Sequence, residues 1–92
     1  MSSNNGIITV LGKDKVGIIA EVCVYLSKSG INVLDISQTI VQGYFNMMMI
    51  VDMKNGAASF EEIYVGLTEL GEKIGVEIKI QHESIFDSMH RI

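Results

Sequence analysis

The stretch from Ile7 to Ile36 constrains the fold more than any other part of the chain. Ile7-Ile8-Thr9-Val10-Leu11 is a short apolar run, and Gly12-Lys13-Asp14-Lys15-Val16-Gly17 interrupts it. Ile18 to Ser29 then carries apolar residues at helical spacing: Ile19, Val22, Cys23 and Leu26 fall on one face, widened by Ile18 and Tyr25. Gly30 stops that segment in the left-handed position favoured after a last helical turn. Ile31-Asn32-Val33-Leu34-Asp35-Ile36 opens a second extended run. A strand, a short charged turn and a helix in this order aim the first backbone N–H groups of the helix at one point. Up to four of them lack partners inside the helix, and the helix dipole adds positive potential there. A small anion, such as the carboxylate of an amino acid, is the natural guest. Function is therefore expected at the Gly12–Gly17 turn, with Asp14 the better capping residue by chemistry.

The remainder of the chain repeats the pattern. The second strand is expected over Ile31–Val41, with Leu34, Ile36 and Ile40 on one parity and Asp35, Ser37 and Thr39 on the other. Gln42-Gly43 supplies a tight turn into a third strand, Tyr44 to Met53, which is apolar on both parities. The first strand is also apolar on both faces apart from Thr9, so both read as central strands. Ser59-Phe60-Glu61-Glu62 is a capping box opening a helix whose apolar face is Phe60, Ile63, Tyr64, Leu67, Leu70 and Ile74. Gly66 and Gly71 weaken that helix by about 1 kcal/mol each relative to alanine, which close approach of the sheet would explain. After Gly75, Val76, Ile78 and Ile80 alternate with Glu77, Lys79 and Gln81, as in an edge strand with one wet face. In the last segment, Glu83 to Ile92, the residues Ile85, Phe86, Met89 and Ile92 form one apolar side of a short helix, too short to hold alone in water.

The order βαββαβ predicts an α+β fold, a ferredoxin-like sandwich with a four-stranded antiparallel sheet, two helices on one face and a short C-terminal helix. Residues 1–92 read as a single domain, with 1–5 a frayed terminus and 83–92 a tail. Two helices cover one face of the sheet, and a bare second face with this much apolar surface calls for a homodimer that covers it or extends the sheet edge. Hydrophobic residues make up 48% of the chain, which points the same way.

Net charge is −4, which disfavours attraction to nucleic acid or an anionic membrane. The single Cys23 rules out an internal disulfide framework and suits a reducing compartment. No run approaches the roughly 20 apolar residues of a membrane span, and no signal-peptide core follows the first residues, so a cytoplasmic protein is expected.

Gly12-Lys13-Asp14-Lys15-Val16-Gly17-Ile18-Ile19, followed by Ser29-Gly30-Ile31-Asn32-Val33-Leu34-Asp35-Ile36, resembles the ACT domain, a small regulatory module of many amino-acid-metabolic enzymes. The nearest resemblance is to stand-alone, uncharacterised ACT proteins, which also end in a segment like Ile85-Phe86-Asp87-Ser88-Met89-His90-Arg91-Ile92. The two-domain glycine-cleavage repressor group is more distantly similar. The resemblance implies a site at the first strand–helix turn together with the Asn opening the second strand, across a dimer interface. Gly12, Lys13, Asp14, Lys15, Val16, Gly17, Ile18 and Asn32 are its candidate residues here. Val16 stands where the family usually has proline, and Gly12 where serine-binding members are often polar.

Each candidate also has a plainer role. Asp14 is either a helix cap alone or also the acceptor of an α-ammonium group, while the N–H groups of Gly17 and Ile18 hold the carboxylate. Gly17 serves close helix–strand packing or leaves room for a ligand. Lys13 and Lys15 are solvated charges or anion clamps. Asn32 caps a backbone turn or reaches the ligand. Met47, Met48 and Met49 alternate faces on a strand and read as packing rather than metal ligands. His82 and His90 lack partners at a metal-binding spacing, Cys23 reads as inert, and Arg91 pairs with a carboxylate of a partner subunit or is solvated. No nucleophile–base set stands at a persuasive spacing, and no cofactor or metal is expected. The functional expectation is a regulatory module sensing an amino acid across a homodimer. Its alternative is a ligand-free protein-interaction module regulating a metabolic enzyme or a transcription regulator.

Overall fold

A computed structural model describes residues 5–13, 17–53 and 59–83. Its elements are β1 (Asn5–Lys13), α1 (Ile18–Lys28), β2 (Asn32–Val41), β3 (Tyr44–Asp52), α2 (Phe60–Ile74) and β4 (Glu77–His82). All strand pairs are antiparallel, in the order β2-β3-β1-β4. This is the ferredoxin-like plan, with the doubly apolar β1 and β3 in the centre and the alternating β4 at one edge. The expected C-terminal helix falls on residues 84–92, outside the described residues.

Period-two alternation sorts the sheet. Ile8 and Val10 of β1, Phe45, Met47, Met49 and Val51 of β3, and Ile78 and Ile80 of β4 all point to the helices and are buried. Val22 and Leu26 of α1 and Ile63 and Leu67 of α2 close the layer over them. Met48 lies on the opposite face and is exposed, so the methionine run alternates faces, with Met47 and Met49 in the core. Tyr64 departs from expectation: it is exposed, because α2 turns Ile63, Leu67 and Gly71 to the sheet.

Local chemistry fixes the element ends. Ser59 Oγ accepts from the Glu62 N–H at 3.2 Å while Glu62 Oε1 accepts from the Ser59 N–H at 2.8 Å. Replacing Ser59 with alanine is expected to lower stability by about 1 kcal/mol, read as a lower urea midpoint at unchanged slope. Gln42 and Gly43 take φ of 52° and 82°, the paired positive angles of a two-residue hairpin turn that matches strand twist. His82 is accounted for by stacking on Phe60, with ring centroids 4.1 Å apart and planes 17° from parallel.

Two boundaries and one register differ from the sequence expectation. Asn5 is in β1, paired with Asp52, and not in a frayed end. Gly12 and Lys13 also belong to β1, opposite Phe45 and Tyr44, because β3 offers ladder partners that a local reading does not see. In β2 the register shifts between Val33 and Asp35, so Leu34 drops out of the alternation that Ile36 and Ile40 keep.

Candidate functional site

The turn between β1 and α1 is the expected site, and Lys13 and Gly17 are the described residues on either side of it. Gly17 is the N-cap of α1, in place of the expected Asp14, at φ 92° and ψ 0°. That left-handed conformation is open to glycine at no steric penalty. A Cβ built on Gly17 meets nothing within 4 Å. Close packing is therefore not what selects glycine here; backbone conformation is. The helical ladder opens with the Glu21 N–H donating to the Gly17 carbonyl at 2.9 Å. The N–H groups of Ile18, Ile19 and Ala20 thus precede it and have no acceptor within the helix. A glycine cap brings no side-chain oxygen to them. Glu21, in the same first turn, places a negative charge near this positive end and tempers its pull on an anion.

Gly12 has a different explanation. A Cβ there would lie 2.8 Å from Val76 Cγ1 and 3.2 Å from Val76 Cα. The residue faces the helix layer, where the chain entering β4 packs against it. A side chain at this position displaces Val76, so the glycine serves packing and offers a ligand only its backbone. Lys13 is exposed at the end of β1, and Ile18 is buried in the core, so Ile18 contributes its N–H and not its side chain. Asp14, Lys15 and Val16 lie outside the described residues.

Asn32 is not beside this turn. It pairs with Asp52, which pairs with Asn5, whereas Gly12 is level with Phe45 and Ile40. From Asn5 to Gly12 the strand climbs about 23 Å at roughly 3.3 Å per residue. One chain therefore holds the two parts of the expected site at opposite ends of its sheet. Asn32 instead borders an open depression of about 470 Å³ with Cys23, Ser27, Gly30, Ile31 and Val33. Cys23 is half-buried on that wall.

A second groove, of about 550 Å³, lies along α2 and β4 and is lined by Leu11, Tyr64, Thr68, Glu72, Val76 and Lys79 among others. Sequence reasoning missed it because Tyr64 sits at core spacing in the helical pattern. Glu77 and Lys79 beside it pair at 3.3 Å, well exposed, which is worth little in stability. Among the described residues no group of three or more His, Cys, Asp or Glu side chains is placed to hold a metal ion. No helix among them is long and apolar enough to cross a membrane.

Comparison with known proteins agrees with this architecture. The family model of the ACT domain matches residues 6–81. A UPF0237 protein of Bifidobacterium longum is 60% identical over 89 residues, which cover 97% of this chain and 99% of that one. The solved structure of an ACT domain protein from Streptococcus pneumoniae superposes with a TM-score of 0.81 at 38% identity, covering 92% of this chain and 96% of that chain. A structure assigned to a glycine cleavage system transcriptional repressor shares the fold, with a TM-score of 0.71 at 20% identity over 84% of this chain and 44% of that one. A glycine-capped strand–helix turn, the β2-β3-β1-β4 sheet and a family match running from the first strand to the last together show that the chain belongs to the ACT domain family.

Proposed function

We propose that the chain is a regulatory module that senses an amino acid at the turn leading into α1, in a site completed by a second copy of itself. ACT domains are in general regulatory ligand-binding modules, and this chain carries the parts in a divided form. The observation that carries the reading is the separation of Asn32 from Gly17 along the sheet. An antiparallel pairing of β2 with β2 of a second copy sets Asn32 of one copy at the hairpin end of the other. That is the level of the partner's helix N-terminus. The Gly17 and Ile18 N–H groups then meet the carboxylate, and the partner's Asn32 meets the amine or side chain.

The sheet edges favour this pairing. β4 is six residues long and carries Glu77 and Lys79, charges that protect an edge. β2 is ten residues long with Asp35 as its one charge, and Leu34, Ile36, Ile40 and Val41 are exposed on it. A long apolar edge of that kind is a template for another strand.

The test is calorimetry or thermal shift across the twenty amino acids. A ligand of about ten heavy atoms needs only ~0.4–0.8 kcal/mol per atom to reach millimolar to micromolar affinity. At least one amino acid is expected to raise the melting temperature, and Asn32→Ala to weaken its binding by about 10- to 100-fold through loss of a charge-assisted hydrogen bond. No shift with any amino acid at millimolar concentration overturns the reading. The exposed apolar residues of β2 also favour a second reading, a ligand-free module docking another protein, which that negative result would leave standing. Neither reading makes the chain an enzyme, and each is proposed for a cytoplasmic protein that binds neither nucleic acid nor membrane.

A further inference from the structure

The groove along α2 and β4 lies at the sheet edge opposite β2, so a β2 pairing leaves it open. Its volume, about 550 Å³, falls within the range of about 300–1,000 Å³ usual for small-molecule sites. Leu11 and Tyr64, 50% and 51% exposed, give it apolar walls together with Val76. Gly71 and Gly75 line it as well and bring no side chain to fill it.

Several hydrogen-bond donors along the groove are already engaged. The N–H groups of Gly75 and Val76 donate to the Gly71 carbonyl at 2.8 and 2.9 Å, and the Thr68 hydroxyl donates to the Tyr64 carbonyl at 2.9 Å. The Lys79 ammonium is held 3.3 Å from Glu77. The free edge of β4 offers N–H and C=O groups alike, and the Tyr64 hydroxyl both donates and accepts, so neither sets a preference. Glu72 does. It is exposed and makes no hydrogen bond or ion pair among the described residues. It stands in the last turn of α2, where the negative end of the helix dipole repels a carboxylate. Lys73, the basic residue of that turn, projects about 100° around the helix from it. A cation in the groove relieves the repulsion, and an anion adds to it.

We propose that this groove is a second binding site, for a small organic cation with an apolar body. Tyr64, Thr68 and Glu72 recur at four-residue spacing and form one stripe of α2, about 12 Å long. The ammonium head sits at Glu72 beside the Thr68 oxygen, whose proton is spent on the Tyr64 carbonyl. The body runs along Val76 toward the Tyr64 ring. The lining shares no residue with the site at the turn into α1, so the inference stands whether or not an amino acid binds there.

Amide chemical shifts of the full-length protein, titrated with phenylbutylammonium, test it. Saturable shifts centred on Tyr64, Thr68, Glu72 and Val76 are the expected result, with none from phenylpentanoate, the matched anion. Glu72→Gln should weaken binding of the cation about fivefold, the loss of one charge partner. Glu61→Gln, about three turns away on the same helix, should leave it unchanged and controls for net charge. Shifts that do not saturate, equal binding of the anion, or an unchanged affinity with Glu72→Gln overturn the proposal. Equal losses for the two variants overturn it as well, because they report net charge and not the groove.

Discussion

Gly71→Ala is expected to destabilise the protein by about 3 kcal/mol, although alanine is the better helix former by about 1 kcal/mol. A Cβ on Gly71 would sit 2.6 Å from the carbonyl oxygen of Val76 and 3.3 Å from Ile78 Cγ1. The obstacle is backbone, and that backbone is pinned: the N–H groups of Gly75 and Val76 both donate to the Gly71 carbonyl, at 2.8 and 2.9 Å. Relief requires α2 to lift from β4 or the entry to β4 to move, which also disturbs the contact of Val76 with Gly12. For a domain of this size the melting temperature should fall by about 15 °C, measurable by calorimetry. Gly66→Ala supplies the contrast. Its Cβ meets the hydroxyl end of Tyr25, a half-buried side chain that is able to swing outward. The net change there is expected to stay within about 1 kcal/mol, lost packing offsetting helix propensity. Equal losses at the two glycines would show that the α2–β4 contact is not the rigid one.

Ile36→Arg combined with Ile40→Arg should leave the fold intact and abolish the proposed homodimer. Both residues point to the helix side of the sheet, level with Met49 and Phe45, yet the helices do not reach them, and they are 42% and 57% exposed. A single chain therefore loses little when they become charged. A two-fold β2 pairing would instead confine four guanidinium groups without partners, at several kcal/mol per desolvated charge. Sedimentation should show a dimer for the parent protein and a monomer for the double variant, weaker in association by at least about a hundredfold, with unchanged circular dichroism. The proposed amino-acid response should vanish with the dimer. A parent protein monomeric at high micromolar concentration, or a double variant that still dimerises, refutes the β2 pairing.

Much of the fold was legible because its decisive signals are local or come from simple alternation. The Ser59–Glu62 box needs four consecutive residues, and the Gln42-Gly43 turn needs two. The central places of β1 and β3 follow from side chains that are apolar on both parities, since only an interior strand has two faces to bury. What the sequence hid depends on distant partners. Gly12 and Lys13 look like turn residues until β3 pairs with them. Gly71 looks like a weak point in a helix until the Val76 carbonyl stands against it. The bulge at Leu34 comes from register with β3, which no pattern within β2 reveals.

The candidate site was legible in part. Gly17 was weighed as a packing glycine or as room for a ligand, and the structure gives it a left-handed helix cap whose Cβ would meet nothing within 4 Å. Asn32 and the turn belong to one compact sequence motif, so a linear reading groups them. The crossover through α1 reverses direction, and that reversal carries Asn32 to the opposite end of the sheet. A short separation along the chain hides a long one in space.

The pairing of Gly6 with His82 has a consequence for how this unit can be built into larger proteins. The first and last strands are neighbours, and the chain enters one and leaves the other at the same rim. The glycine-capped turn occupies the far rim, beside the hairpin tip. The entry to β1 and the exit from β4 therefore share one pole of the sheet, and the start of α1 stands at the other.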